Sequence, residues 1–149
     1  MENDEIVKQL TQIYLREEKW HSTYLDEESA NEYHKELLQR GNILSCSQGD
    51  LLLGYVEFWR INYEQFGRII CGEGFSALCE DVIHGYIAYV ANTYIRPEYR
   101  KGEVYKMLRD RFFEFNKDCT YFVGHARRKK SEPVKVFKVK DISLRKVEV

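Results

Sequence analysis

The chain is poor in the residues that break, stretch or crosslink a fold. Its 149 residues include only 2 prolines and 9 glycines, too few for linkers or low-complexity spacers. No internal repeat is present. The four cysteines, Cys46, Cys71, Cys79 and Cys119, form no CxxC pair, so neither a zinc site nor a secreted disulfide scaffold is indicated and reduced, mostly buried thiols are expected. No apolar run approaches the length of a bilayer span; the longest, Leu51-Leu-Leu-Gly-Tyr-Val56, is a third of what a membrane helix needs. The first residues, Met1-Glu-Asn-Asp-Glu-Ile6, are acidic where a secretory leader would be basic, which leads us to expect a cytoplasmic protein with no membrane contact. Net charge is nearly absent too, at −1.

What is present suits a packed globule. Hydrophobic residues make up 44% of the chain and aromatics 14%, with 11 Tyr and 8 Phe, and the length fits one domain over 1–149. The near-neutral total hides an asymmetry. Residues 1–38 carry ten acids against four bases, and residues 121–149 carry nine bases against three acids. A basic face of this kind can meet an anion, nucleic acid or an acidic partner, or it can be a sheet edge guarded by Lys. Too few aromatics stand among those bases (Tyr121, Phe122, Phe137) to form a base-stacking platform, so nucleic acid is not the expected ligand.

Periodicity predicts two acidic helices first. Ile6, Val7, Leu10, Ile13 and Tyr14 are spaced for a helix over 4–19. Asp26 can cap a second, with Tyr33, Leu37 and Leu38 as its stripe and Gly41 as its stop. Strands follow at 43–46 and 51–61, joined by a turn at Gln48-Gly-Asp50. Residues 62–85, with four glycines, read as a long loop, which in a compact domain is usually functional or a docking place for a partner; a homodimer is allowed by it. Tyr86–Ile95 is a nearly unbroken apolar and β-branched strand. A helix over 103–116 should bury Val104, Met107, Leu108, Phe112 and Phe115, and Thr120–His125 reads as a strand. The tail from Pro133 alternates well enough for strand. A strand–helix–strand unit requires residues 86–95 and 120–125 to lie parallel, so the expected fold is α/β with a mixed sheet.

The segment Val90-Ala-Asn-Thr-Tyr-Ile-Arg-Pro-Glu-Tyr-Arg-Lys-Gly-Glu-Val-Tyr-Lys-Met-Leu108 carries the functional signal. It reads as strand, proline turn, Arg-Lys-Gly loop and helix start, which sets free backbone N–H groups beside fixed positive charge. It resembles motif A of the GNAT family of N-acetyltransferases, whose loop runs Arg or Gln, two variable residues, Gly, one variable residue, then Gly or Ala. Here Arg100-Lys-Gly-Glu-Val-Tyr105 has its single Gly one place early, and Tyr105 occupies the second small position. The resemblance implies a GNAT-like fold, a mostly antiparallel central sheet with one splayed parallel pair. It also implies acetyl-CoA as cosubstrate and a primary amine, on a small molecule or a protein lysine, as acceptor. Arg100, Lys101, Gly102, Glu103 and Val104 would then hold the pyrophosphate, and the backbone of Tyr94 and Ile95 the pantetheine arm. A polar strand-to-helix turn without a ligand would use the same residues, and Glu103 at the helix start would repel a phosphate.

Acetyl transfer to an amine is helped by a base. Glu57 is the acid set within an apolar strand, Tyr-Val-Glu-Phe-Trp, and is the candidate base; a solvent-facing Glu on an alternating strand is the competing expectation. His84, His125, Tyr94 and Tyr121 are weaker candidates for proton transfer. The tail lacks the Asn and Tyr-Glu-Lys-Leu-Gly-Phe pattern usual in the family; Lys135–Lys140 resembles a reduced version. A binding module of the same fold, gripping a protein or nucleic acid without catalysis, is the alternative.

Overall fold

The computed structural model describes residues 1–16, 25–71, 85–125 and 134–138. The element order is α1 (Asn3–Arg16), α2 (Glu27–Arg40), β1 (Ile43–Gln48), β2 (Leu51–Ile61), α3 (Tyr63–Ile70), β3 (Ile87–Ile95), a 3-10 turn (Pro97–Tyr99), α4 (Glu103–Phe115), β4 (Tyr121–His125) and β5 (Val134–Lys138). The five strands form one sheet in the order β1-β2-β3-β4-β5. β1 pairs antiparallel with β2, β3 parallel with β4, and β4 antiparallel with β5. The expected mixed α/β sheet with a parallel pair is therefore observed. Residues group into two compact units, Met1–Glu57 with Thr93–Phe112, and Phe58–Asn92 with Phe113–Val149.

Local chemistry accounts for the ends of the elements. Asp26 accepts a hydrogen bond from the Ser29 N–H at 2.8 Å, and Gly41, at φ 76°, lets its own N–H and that of Asn42 return to the carbonyls of Leu38 and Leu37. Only a residue tolerant of the left-handed region closes a helix in this way. β1 and β2 are joined by two residues, Gly49 and Asp50, with Gly49 at φ 59°. Such a positive φ is what two-residue hairpins demand.

One expectation is overturned. The segment from residue 62 does not start as a loop: Tyr63–Ile70 is a helix. Asn62 accepts from the Gln65 N–H (2.8 Å) while the Gln65 side chain accepts from the Asn62 N–H (3.1 Å), a reciprocal capping box. That Asn-x-x-Gln signature was legible, but the glycines around it masked it. The rest of the expected loop, 72–84, lies outside the described residues.

In the first unit, α1 and α2 bury Ile6, Val7, Leu10, Ile13, Tyr14, Ala30 and Leu37. His34, not Tyr33, stands on the buried stripe of α2. Thr11 donates its hydroxyl hydrogen to Asn31 Oδ1 (2.9 Å), and its oxygen lies at hydrogen-bond distance from His34 Nδ1 (3.1 Å). β2 is buried at eight consecutive positions, Leu52–Trp59, as a strand covered on both faces must be. Its register against β1 slips between Cys46 and Ser47, passing over Leu53. On α4, Val104, Leu108 and Phe112 are buried, whereas Met107 and Phe115 are exposed. Met107 lies at the margin of the stripe, where its sulfur accepts from the Cys46 thiol at 3.5 Å. Phe115 is the final residue of the helix and meets Phe58 only edge-on, at 5.6 Å between centroids.

In the second unit, Arg60 donates through Nε to the Gly85 carbonyl (2.7 Å) and through both Nη groups to the Asp118 carboxylate (3.2 and 2.9 Å). The hydrogen bonds from Arg60 hold the Asp118 carboxyl below its ordinary pKa. Burial pushes the neighbouring Cys119 thiol up to about 11. Cys46, Cys71 and Cys119 are all free thiols.

Gly54 is where β2, the end of β3 and α4 approach most closely. A Cβ there would lie 2.8 Å from the Tyr94 carbonyl oxygen, 3.1 Å from Ile95 Cγ1 and 3.2 Å from Leu108 Cδ1. Because backbone is the nearest neighbour, the site cannot relax by a side-chain rotation, and Gly54→Ala should destabilise the protein by about 1–3 kcal/mol. Urea unfolding of the variant against the parent measures this; an unchanged midpoint would show that the approach is not tight.

Candidate functional site

The site is built at the end of β3 and the turn that follows it. The parallel ladder between β3 and β4 is three residues long: Ile87 with Tyr121, Ala88 with Phe122, Tyr89 with Val123. β3 then runs on to Ile95 and β4 to His125, with no further ladder pair between them among the described residues. Gly124 stays within ordinary van der Waals reach of Val90, whose Cβ would lie 3.8 Å from a Cβ added to the glycine. In the same register the β3 residues past Ala91 stand opposite positions beyond His125, which lie outside the described residues.

The end of β3 is held firmly. The Arg96 N–H donates to the Leu53 carbonyl (2.9 Å), Arg96 Nε to the Leu52 carbonyl (2.5 Å) and Arg96 Nη2 to Gln9 Oε1 (3.2 Å). Buried Gln9 also accepts from the Leu52 N–H (2.8 Å) and donates to the Asp50 carbonyl (2.6 Å). Leu53, the residue passed over in the register of β1 and β2, is therefore the one whose carbonyl meets the turn. Pro97 then presets the 3-10 turn, and the Tyr99 N–H returns to the Arg96 carbonyl at 2.8 Å.

The sequence-derived phosphate-loop residues come together here. Arg100, Lys101, Gly102 and Glu103 are exposed, and Val104 is buried and anchors the first turn of α4. No side chain caps α4 at its start among the described residues, in contrast to α2 and α3. Gly102 is not at positive φ, and a Cβ on it would meet nothing within 4 Å, so the loop geometry does not itself demand glycine. Glu103 supplies a negative charge to the helix start. Arg100 donates through Nε to the Ile95 carbonyl (2.8 Å), and its guanidinium lies over the Tyr94 ring, 5.8 Å from the centroid. Tyr94 packs in turn against Tyr55, at 6.2 Å and 32°.

Glu57 is buried, with 8% of its surface exposed, which overturns the expectation of a solvent-facing acid. The reason is that β2 is covered on both faces. The Tyr33 hydroxyl of α2 donates to Glu57 Oε2 at 3.0 Å. Strand alternation places Glu57 on the same face as Tyr55, and hence as the ring of Tyr94. Glu57, Tyr55, Tyr94 and Arg100 thus share one face of the sheet, opposite the face on which Gly54 meets α4. Sequence reading missed Tyr33, although its position one residue before the buried His34 marks it as flanking the apolar stripe. It also missed Gln9, an uncharged polar residue among apolar neighbours.

Of the weaker candidates, His84 lies outside the described residues, His125 lies in β4, and the half-buried Tyr121 meets Tyr63 edge-on at 6.3 Å. Cys119 is held protonated at neutral pH and is no thiolate nucleophile. No group of three or more His, Cys, Asp or Glu side chains that could hold a metal ion occurs among the described residues. No helix among them is long and apolar enough to cross a membrane. The chain matches no protein-family model, no curated protein and no solved structure.

The Tyr33 hydroxyl supports the buried Glu57 carboxyl group, so Tyr33→Phe should cost about 1–3 kcal/mol, the scale of leaving a buried polar group short of a partner. Equilibrium unfolding at neutral pH checks this; a loss within a few tenths would mean that other groups satisfy Glu57 fully.

Proposed function

We propose that the chain is a GNAT-like acyl-CoA N-acyltransferase that uses acetyl-CoA to acetylate a primary amine. The observation that carries this reading is a parallel strand pair whose first strand leads through a proline turn into a helix start with no side-chain cap among the described residues, with Arg100 and Lys101 exposed beside it. In that arrangement the β3 backbone at Asn92–Ile95 pairs with the two amides of a pantetheine arm. The N–H groups of Gly102–Val104, with Arg100 and Lys101 beside them, take the pyrophosphate.

In the transfer itself the amine nitrogen attacks the thioester carbonyl, a C–N bond forms and the C–S bond breaks. Backbone N–H on β3 stabilises the developing oxyanion. Glu57 takes the proton leaving the nitrogen, and the same proton, returned through solvent, converts the departing thiolate to the free thiol and restores the Glu57 carboxylate. Direct transfer fits a chain whose buried Cys119 stays protonated. The acidic first two helices (Asp4, Glu5, Glu27, Glu28 in their first turns) favour a cationic acceptor such as a polyamine or lysine.

A second reading keeps the fold without catalysis, as a binding module for a protein or nucleic-acid partner. Glu103 favours it, because an acidic residue in the first turn of α4 would repel a phosphate. One titration separates the two readings. Acetyl-CoA binding only the folded state raises the melting temperature, by mass action about 2.7 kcal/mol of stabilisation at a hundredfold excess over Kd. Acetyl-CoA should shift the midpoint, Arg100→Ala should reduce the shift and Glu103→Gln should enlarge it. No shift at millimolar acetyl-CoA, CoA or ADP would remove the transferase reading and leave the binding module.

A further inference from the structure

The Arg100 side chain is set differently from the other cation of the same turn. Arg96 is spent on the fold, with Nε on the Leu52 carbonyl and Nη2 on Gln9. Arg100 uses only Nε, on the Ile95 carbonyl at 2.8 Å. Its Nη groups have no protein partner among the described residues, and the residue is exposed. The guanidinium plane cannot swing freely, because Nε is tethered and the Tyr94 ring lies beneath it. Tyr94 is backed in turn by Tyr55 from the fully buried stretch of β2. A tethered, stacked guanidinium presents the paired N–H edge that matches two phosphate oxygens, and it loses little side-chain freedom when it binds them.

We infer that Tyr94 is a positioning residue: its ring and the Ile95 carbonyl hold Arg100 as a preset fork for a phosphate of the bound ligand. This inference rests on the phosphate-binding reading above and adds to it a positioning role for the Tyr94 ring, beside the backbone role and the weaker proton-transfer role that the sequence implies. The ring, and not the hydroxyl, does the positioning, so Tyr94→Phe keeps the function and Tyr94→Leu loses it. Lysine cannot replace Arg100, because a single ammonium cannot hold the Ile95 carbonyl and offer a fork together.

The test is calorimetric titration of the full chain with CoA, ADP and inorganic pyrophosphate. Arg100→Ala, Arg100→Lys, Tyr94→Phe, Tyr94→Leu and the double variant Tyr94→Leu/Arg100→Ala are compared with the parent. Arg100→Ala should weaken binding about tenfold or more, and Arg100→Lys nearly as much. Tyr94→Leu should weaken it about two- to fivefold, the scale of an exposed cation–π contact, and Tyr94→Phe should restore it. In the Arg100→Ala background, Tyr94→Leu should have no further effect, a coupling that a merely structural role would not produce. The Arg100 Nε–H resonance of the unliganded parent should be displaced by the Tyr94 ring current, and Tyr94→Leu should return it to the ordinary position. Equal losses from Tyr94→Leu with and without Arg100, or a Tyr94→Phe variant as weak as Tyr94→Leu, would overturn the positioning role while leaving phosphate binding intact. A parent that binds none of the three probes would overturn the phosphate reading itself, and the positioning role with it.

Discussion

The end of β3 is where it is because Arg96 ties it to β2. One residue spans the junction with main-chain N–H to Leu53, Nε to Leu52 and Nη2 to Gln9. Gln9 closes the arrangement by accepting from the Leu52 N–H and donating to the Asp50 carbonyl. Helix α1, the first residues of β2 and the last of β3 are thereby fixed in one hydrogen-bonded knot. Everything that follows in the chain as far as α4 leaves from that point. Hydrogen bonds from a charged donor are among the stronger ones a fold can use; here the Arg96 guanidinium supplies two of them and its main-chain N–H a third bond, and together they determine where the loop emerges.

The same junction sorts the two faces of β2. On one, Gly54 has no side chain, so α4 can seat Leu108 against the strand and the Tyr94 carbonyl. On the other, Tyr55 supports Tyr94, which lies beneath Arg100, and two residues on Glu57 takes the Tyr33 hydroxyl. One face therefore fixes the helix whose N-terminus would meet an anion. The other gathers a buried carboxylate and a tethered guanidinium.

Much of this was legible from residues. Asp26 and Gly41 marked the ends of α2 because capping chemistry is local, and the strand–helix–strand rule paired 87–95 with 121–125 because connectivity leaves few alternatives. The errors have physical causes. Periodicity treats Met107 and Phe115 as core, but a helix buries only what faces a neighbour, and one lies at the stripe's margin while the other is terminal. Alternation makes Glu57 look solvent-facing, because it assumes a sheet covered on one side, and coverage is decided by distant helices. The contacts of Gln9, Tyr33 and Arg96 join positions 24 to 87 residues apart, and no local pattern encodes such partners. Gly102 looked diagnostic by its place in a motif, yet its backbone conformation demands no glycine.

In the proposed function the end of β3 and the start of α4 receive one extended ligand. The most direct test is an amide chemical-shift map of the isotopically labelled chain titrated with CoA. Binding of one such ligand should produce concerted shifts of the amides of Asn92–Ile95 and of Lys101–Val104, saturating at one ligand concentration, while the amides of β1 stay in place. Shifts confined to the basic residues beyond 126, or none at all, would contradict it.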